Sequence, residues 1–192
     1  FQLVELSAQA GCEVFIVHAR KAWLDGLSPK QNRDIPPLNY DLVYELKKSR
    51  QDLTIILNGG IDTLSDAQTH LQHVDGVMLG RAAYKTPYIL AEVDRTIFND
   101  DMPPPSREAV VEALIPYAEK LVVDGVPLHA LTRHLMGLFQ SQPGGRLWRR
   151  YLSENAPKNE ADASVLSEAL QYMRQAVQRT HDTGNDINQH AD

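Results

Sequence analysis

The chain has 192 residues, 43% of them hydrophobic, with a formal net charge of −6 and one cysteine, Cys12. That is enough chain and apolar content for one large domain or two small ones, while a lone cysteine excludes a disulfide framework and a cysteine-held zinc or iron–sulfur centre. No run of 18 apolar residues offers a membrane span, and Phe1-Gln2-Leu3-Val4-Glu5 is neither a start methionine nor a signal sequence, so the N-terminus reads as a cut.

A reducing compartment suits a lone cysteine, and the expected location is the cytoplasm. Net negative charge argues against unspecific polyanion binding by the chain as a whole. The distribution of charge says more. Between Gly125 and Ser153 there is no Asp or Glu, whereas Arg133, Arg146, Arg149, Arg150, His129 and His134 all fall there.

In chain order, the first apolar run is Val14-Phe15-Ile16-Val17, the second spans 53–57 and the third is Gly76-Val77-Met78-Leu79. These runs alternate with helical patterns, which predicts a parallel α/β sheet or barrel whose strands are buried on both faces. Asn39 and Thr63 stand where N-caps of the intervening helices belong. Thr86-Pro87 opens another predicted helix, with Thr86 as cap and Ile89, Leu90, Val93 and Ile97 as its buried stripe. Cys12 precedes the first strand and reads as a small buried hydrophobe.

The Pro-rich run at 99–105 breaks all periodicity and predicts a boundary. Beyond it the pattern is helical only. Ser106 caps a segment that Pro116 should kink or split; Leu128, Leu131, Leu135 and Leu138 form a second stripe; Val165, Leu166, Ala169, Met173 and Val177 form a third. The expected layout is an α/β region at 1–99, a linker at 100–105, a helical bundle at 106–179 and a disordered polar tail at 180–192.

Ligand sites of parallel α/β folds lie at the carboxyl ends of the strands. Here those ends are His18-Ala19-Arg20, Asn58-Gly59-Gly60 and Gly80-Arg81. Glycine amides unobstructed by side chains, a helix start and one guanidinium form a phosphate cradle, and His18 could donate to a phosphate or carbonyl. On the helical side, Gly144-Gly145 marks a break after which Arg146, Arg149 and Arg150 would share one helix face, with Leu147 and Tyr151 as anchors and no acid nearby to pair with the arginines.

The segment from His18 through Trp23-Leu24-Asp25-Gly26 to Arg33 closely resembles the signature of A-type tRNA-dihydrouridine synthases. The motifs Asn58-Gly59-Gly60-Ile61, Asp75-Gly76-Val77-Met78-Leu79-Gly80-Arg81, Leu138-Phe139-Gln140 and 148–155 follow in the same order. The resemblance implies the last three βα units of an FMN-binding TIM (β/α)8 barrel followed by an all-α tRNA-binding bundle. The implied enzyme reduces uridine to dihydrouridine at D-loop positions 20 and 20a with NADPH. His18, Asn58, Gly59, Gly60, Gly80 and Arg81 would contact FMN, and Gln31, Arg33, Arg146 and Arg149 would contact tRNA. No metal, membrane or DNA partner is implied, and the complete enzyme is expected to be a monomer.

The family's proton-donating cysteine is expected on an earlier strand, outside this chain, so the chain alone should be inactive. Two other readings stay open: another FMN or sugar-phosphate barrel enzyme, and an RNA-binding remnant without catalysis.

Overall fold

The computed structural model describes the backbone of residues 1–23 and 25–188, with side chains up to Arg179. Two compact units divide the chain: Phe1–Ala83 with Thr96–Phe98, and Tyr84–Arg95 with Asn99–Asp192. The first unit holds α1 (Gln2–Gln9), β1 (Val14–His18), α2 (Tyr40–Ser49), β2 (Thr54–Asn58), α3 (Leu64–Leu71), β3 (Gly76–Met78) and most of α4 (Arg81–Lys85). The strands pair in parallel in the order β1-β2-β3, with Phe15 opposite Ile55, Val17 opposite Leu57 and Asn58 opposite Met78. All three strands stand where the apolar runs predict them, to within a residue.

Side-chain caps set two of the connecting helices. Asn39 Oδ1 accepts from the Leu42 N–H at 3.1 Å, and Thr63 Oγ1 accepts from the Asp66 N–H at 3.0 Å. Each satisfies one backbone donor that the first helical turn cannot. Val43 and Leu46 of α2 and Ala67 of α3 then pack with Ile55 and Leu57 of β2, both fully buried. Burial of each such β2 side chain contributes roughly 1.5–3 kcal/mol.

Asp75 fixes where the sheet begins. Its Oδ2 accepts from the Ile55 N–H at 2.8 Å and from Lys47 Nζ at 2.9 Å, so the end of α2, the start of β2 and the approach to β3 meet at one carboxylate. Partial burial disfavours that charge, but the backbone N–H and the ammonium outweigh it and hold the carboxyl below its usual range.

Burial differs from expectation at β1. Val14 and Ile16 are exposed on one face while Phe15 and Val17 turn toward the core, and Met78 of β3 is exposed as well. In β2, Ile55 and Leu57 are fully buried on one face, while Ile56 on the other is half-buried and Thr54 exposed. Cys12 is also exposed, its Sγ donating to the Val14 carbonyl at 3.4 Å, because it sits in the turn after α1, before the sheet begins. The buried-hydrophobe reading of Cys12 is corrected.

The only regular elements among the described residues of the second unit are helices: a 3-10 helix Pro87–Glu92, the start of α5 (Val93–Ile97), α6 (Arg107–Val123), α7 (Leu128–Thr132), α8 (Gly145–Asn155) and α9 (Ser164–Asn188). By its contacts it takes in Tyr84–Arg95 as well as the chain from Asn99, where the Pro-rich run begins, while Thr96–Phe98 belongs to the first unit. The segment 84–95 makes its contacts with the helical unit: Tyr88 packs on that core, and its hydroxyl donates to the Pro105 carbonyl at 2.8 Å. Thr86 does not cap with its side chain, and Pro87 opens a 3-10 helix that leaves Leu90 exposed, so the predicted single amphipathic helix is two short pieces.

Ser106 caps α6 as expected, accepting from the Ala109 N–H at 3.1 Å, and the helix runs through Pro116 without splitting. The leucine stripe at 128–138 packs on the core, but α7 ends at Thr132. Bonds from His134, Leu135, Leu138 and Gln140 to carbonyls three residues earlier carry the chain onward as successive tight turns. Trp148 and Leu152 of α8 are fully buried against Leu166, Ala169 and Met173 of α9, with the Trp148 indole N–H donating to the Leu135 carbonyl at 3.0 Å. Helix α9 passes Thr180, where a disordered tail was expected; residues 189–192 lie outside the described residues.

Candidate functional site

At the carboxyl edge of the sheet, one cavity of about 200 Å3 is lined by His18, Asn58, Gly59, Gly60, Gly80 and Arg81, with Arg20, Arg33, Asp62 and Met78 beside them. The strand register accounts for this meeting, since His18 is opposite Asn58 and Asn58 is opposite Met78, two residues before Gly80. Five-residue β1 spans roughly 13 Å at 3.3 Å per step. Cys12 lies beyond its far end.

The turn after β2 favours glycine both by its backbone torsions and by its crowding. Gly59 and Gly60 have φ of +114° and +72°; a Cβ on Gly59 would fall 2.9 Å from His18 Cε1, and one on Gly60 would fall 2.8 Å from Tyr40 Oη. His18 Nδ1 accepts from the Arg20 backbone N–H at 3.1 Å, which leaves Nε2 to carry the proton of the neutral ring and to donate. This fixes a tautomer that sequence leaves open.

Arg81 opens α4 and is not a free cation. Its Nη1 donates to Asp34 Oδ1 and its Nη2 to the Arg33 carbonyl at 3.3 Å. The hydrogen bond from Arg81, followed by its charge and those of Arg20 and Arg33, holds the Asp34 carboxyl below its usual range despite some opposing desolvation. Arg20 donates to the carbonyls of Asp34 and Pro36. Arg20 therefore braces the 20–38 loop, while Arg81 joins that loop to the cavity.

Of the four residues expected to face RNA, Gln31 serves a local purpose. Its Oε1 accepts from the Ser28 N–H at 2.9 Å while Ser28 Oγ accepts from the Gln31 N–H at 3.3 Å, closing a reciprocal cap on the 3-10 turn Gln31–Arg33. Arg33 lines the same cavity as the glycine turns. Arg146 is exposed on α8, and Arg149 Nη1 donates to Gln140 Oε1 at 3.1 Å.

Two readings of α8 are corrected. Arg150 does have an acid partner, Glu154 one turn on at 2.8 Å, just past the acid-free stretch. Trp148 and Leu152 are the fully buried anchors; Tyr151, partly buried, packs on the same core as expected and donates to Glu168 at 3.0 Å, whereas Leu147 is not among the side chains packed there.

The family model described as Dihydrouridine synthase (Dus) matches residues 1–178. This chain belongs to the dihydrouridine synthase family. Three similar relatives bear the name tRNA-dihydrouridine(20/20a) synthase. The one from Shewanella oneidensis is 58% identical over 161 residues, covering 84% of this chain and 48% of its own length. Those from Salmonella typhi and Escherichia coli K12 are 57% and 56% identical over 165 residues, covering 86% of this chain and 50% and 48% of theirs. The chain thus spans about half the length of the curated relatives it matches.

Within this dihydrouridine synthase chain, sequence reasoning passed over Tyr40 and Asp34. Tyr40 donates through its hydroxyl to the Gly59 carbonyl at 3.0 Å, and its ring centroid lies 4.3 Å from that of His70. His70 is buried, bonds Tyr44 Oη at 2.6 Å, and has its pKa lowered first by desolvation. The position of Tyr40, just after the Asn39 cap, was the available signal: the first residue of a capped helix in such a fold lies near the turns of neighbouring units. No described helix is long and apolar enough to cross a membrane.

Proposed function

We propose that this chain forms the flavin-phosphate side and the tRNA-binding helices of a tRNA-dihydrouridine synthase that reduces uridine at D-loop positions 20 and 20a. The carrying observation is the convergence of His18, Asn58, Gly59, Gly60, Gly80 and Arg81 on one cavity at the carboxyl edge of three parallel strands. Two crowded glycines of positive φ, a histidine with a donating Nε2 and an arginine suit the phosphate end of FMN. On this reading, β1 to β3 are three consecutive units of a (β/α)8 barrel, and the helical residues after the Pro-rich run form the RNA-binding domain.

When bound, FMN would take a hydride from NADPH and deliver it to the uracil double bond, with a proton completing the reduction. The chain's own residues hold and orient. Backbone amides of the 58–60 turn and the Arg81 guanidinium take phosphate oxygens, and His18 Nε2 donates to a cofactor oxygen. Arg146 and Arg149 take tRNA phosphates, with Arg33 and Gln31 on the loop beside the cavity. No thiol of this chain stands at the cradle, because Cys12 is beyond the far end of β1. If the proton donor is a cysteine, as the family resemblance implies, it comes from elsewhere in the complete enzyme, and this chain alone is expected to be inactive.

Flavin titration of the complete apoenzyme tests the reading. Arg81→Ala should weaken FMN binding and lower dihydrouridine formation on unmodified tRNA. FMN affinity equal to wild type would remove the cradle from the account.

A further inference from the structure

Several cations of the helical unit have a partner that accounts for them. Arg150 pairs with Glu154, and Arg174 with Glu112 at 3.5 Å. Arg107 Nε donates to the Leu138 carbonyl at 2.8 Å while its guanidinium lies 3.6 Å over the Tyr88 ring. One cavity departs from this pattern. About 410 Å3 in volume, it is lined by Lys85, Arg133 and Arg149 together with Tyr84, His134 and Gln140, and none of its lining residues is acidic.

Among the described residues, Lys85, Arg133 and Arg149 make no ion pair. Three like charges around one concavity repel, and an anion placed there removes that cost. The cavity is also held in shape. Gln140 fixes the Arg149 guanidinium, and the backbone at Gly137 lies so close to the Lys85 carbonyl that a Cβ would fall 1.9 Å from it. The wall bearing Tyr84 and Lys85 thus rests directly on the turn that follows Arg133.

Tyr84 adds what a simple anion site would not need. It is 61% exposed, and its ring meets His134 in an edge contact at 5.7 Å with its hydroxyl 3.2 Å from His134 Nδ1. The ring is oriented by a neighbour yet mostly open to solvent. An exposed, oriented aromatic surface between unpaired cations matches an unstacked base flanked by phosphates, because every base offers a π-face and every linkage a charge. A lone phosphate would leave the ring unused.

We propose that this cavity docks an unpaired nucleotide of the RNA substrate, with Tyr84 stacking on its base and Lys85, Arg133 and Arg149 receiving the flanking phosphates. The proposal rests on the tRNA reading above and adds to it a particular pocket, a stacking residue and two cations, Lys85 and Arg133.

The test measures binding of an unmodified tRNA transcript to the complete, flavin-loaded enzyme at several salt concentrations. Tyr84→Leu, Arg133→Ala and Arg146→Ala are compared, Arg146 lying outside the cavity lining. Tyr84→Leu should weaken binding by about fivefold to a hundredfold with an unchanged salt slope, since it removes a stack and no charge. Arg133→Ala should weaken binding and reduce the slope by about 1. Thermal melting and bound-flavin absorbance equal to wild type establish that the fold is intact. If only Arg146→Ala weakens binding, the cavity is not a docking site although the tRNA reading stands. If Arg133→Ala acts and Tyr84→Leu does not, nucleotide stacking is overturned and an electrostatic face remains. If all three bind as wild type, the tRNA reading itself fails.

Discussion

The Tyr40 hydroxyl donates to the Gly59 carbonyl at 3.0 Å, tying the first residue of α2 to the glycine turn that ends β2. The turn needs such a tie because Gly59 and Gly60 both occupy left-handed backbone conformations and carry no side chains to lock them. Tyr40→Phe keeps the ring against His70 and removes only the bond. The expected cost is about 0.5–1.5 kcal/mol of stability, together with several-fold weaker FMN binding in the complete enzyme, read by denaturant melts and flavin titration. Unchanged flavin affinity would show that the turn holds its shape without the hydroxyl.

Arg81 and Arg20 both line the cavity but should differ in kind. Arg81→Ala removes a cradle donor, with an expected loss of about 1.5–3 kcal/mol in FMN binding. Both arginines already bond the loop, Arg20 through the carbonyls of Asp34 and Pro36 and Arg81 through the Asp34 carboxylate and the Arg33 carbonyl. Arg81, however, opens the helix directly after Gly80, so Arg20→Ala should chiefly loosen the loop and affect flavin less. Titrations of both variants side by side decide whether the two arginines rank in this order.

The Asp34 and Arg81 pair should make the 20–38 loop pH-sensitive. Because the folded-state pKa of Asp34 lies below its ordinary value, the pair's contribution is fully present above the ordinary carboxylate pKa, and it is lost as pH falls through the lowered one. Hydrogen exchange of the loop should therefore quicken at acid pH beyond its intrinsic pH dependence. Asp34→Asn should show the quickened behaviour already at neutral pH. An identical pH profile in wild type and variant would mean that the loop is held by Arg20 alone.

Removing Trp148 should be severe. Its ring is fully buried, lies 4.9 Å from Phe139 and donates to the Leu135 carbonyl, so Trp148→Ala leaves a cavity and removes one hydrogen bond, although that carbonyl still accepts from the Leu138 N–H. A loss of about 3–5 kcal/mol is expected in chemical denaturation of the complete protein. A loss under about 1 kcal/mol would mean that the helical core closes over the gap.

The three arginines of α8 should not contribute equally to RNA affinity. Arg150 already spends its charge on Glu154, an exposed pair one turn apart, whereas Arg149 is oriented by neutral Gln140 and Arg146 is in no ion pair among the described residues. Arg150→Ala should change the tRNA Kd and salt slope less than either Arg146→Ala or Arg149→Ala. Filter binding across a salt series gives the comparison.

Strand positions, two strand-linking caps and the residues of the glycine cradle were legible because each depends on local pattern: runs of β-branched residues, an Asn or Thr before a periodic stretch, glycines after a strand. Some of what was misread depends on partners distant in sequence, and some on local geometry that spacing does not resolve. Cys12 and Val14 read as buried from their own apolar character, yet burial is set by what packs on them, and nothing in the strand itself states that. The segment before the Pro-rich run gave no sign that Tyr88 packs on the helical core, so that residues 84–95 go with the helical unit. Arg150 looked unpaired only because the acid-free stretch ends one residue short of Glu154. The leucines at 128–138 have the spacing of a helix and do pack as one row, but consecutive three-residue turns repeat at nearly the same interval, so spacing alone does not distinguish them.

Gly137 brings a different kind of constraint. Its φ lies outside the left-handed range, so its backbone torsion alone would admit an ordinary residue, but the Lys85 carbonyl fills the place a methyl group would take. At Gly125 the reverse holds: φ is +81° with nothing within 4 Å, and asparagine could stand there at modest cost. Genetic drift can therefore wander at 125, whereas at 137 even the smallest side chain would have to lever the strip carrying Tyr84 and Lys85 away from its seat.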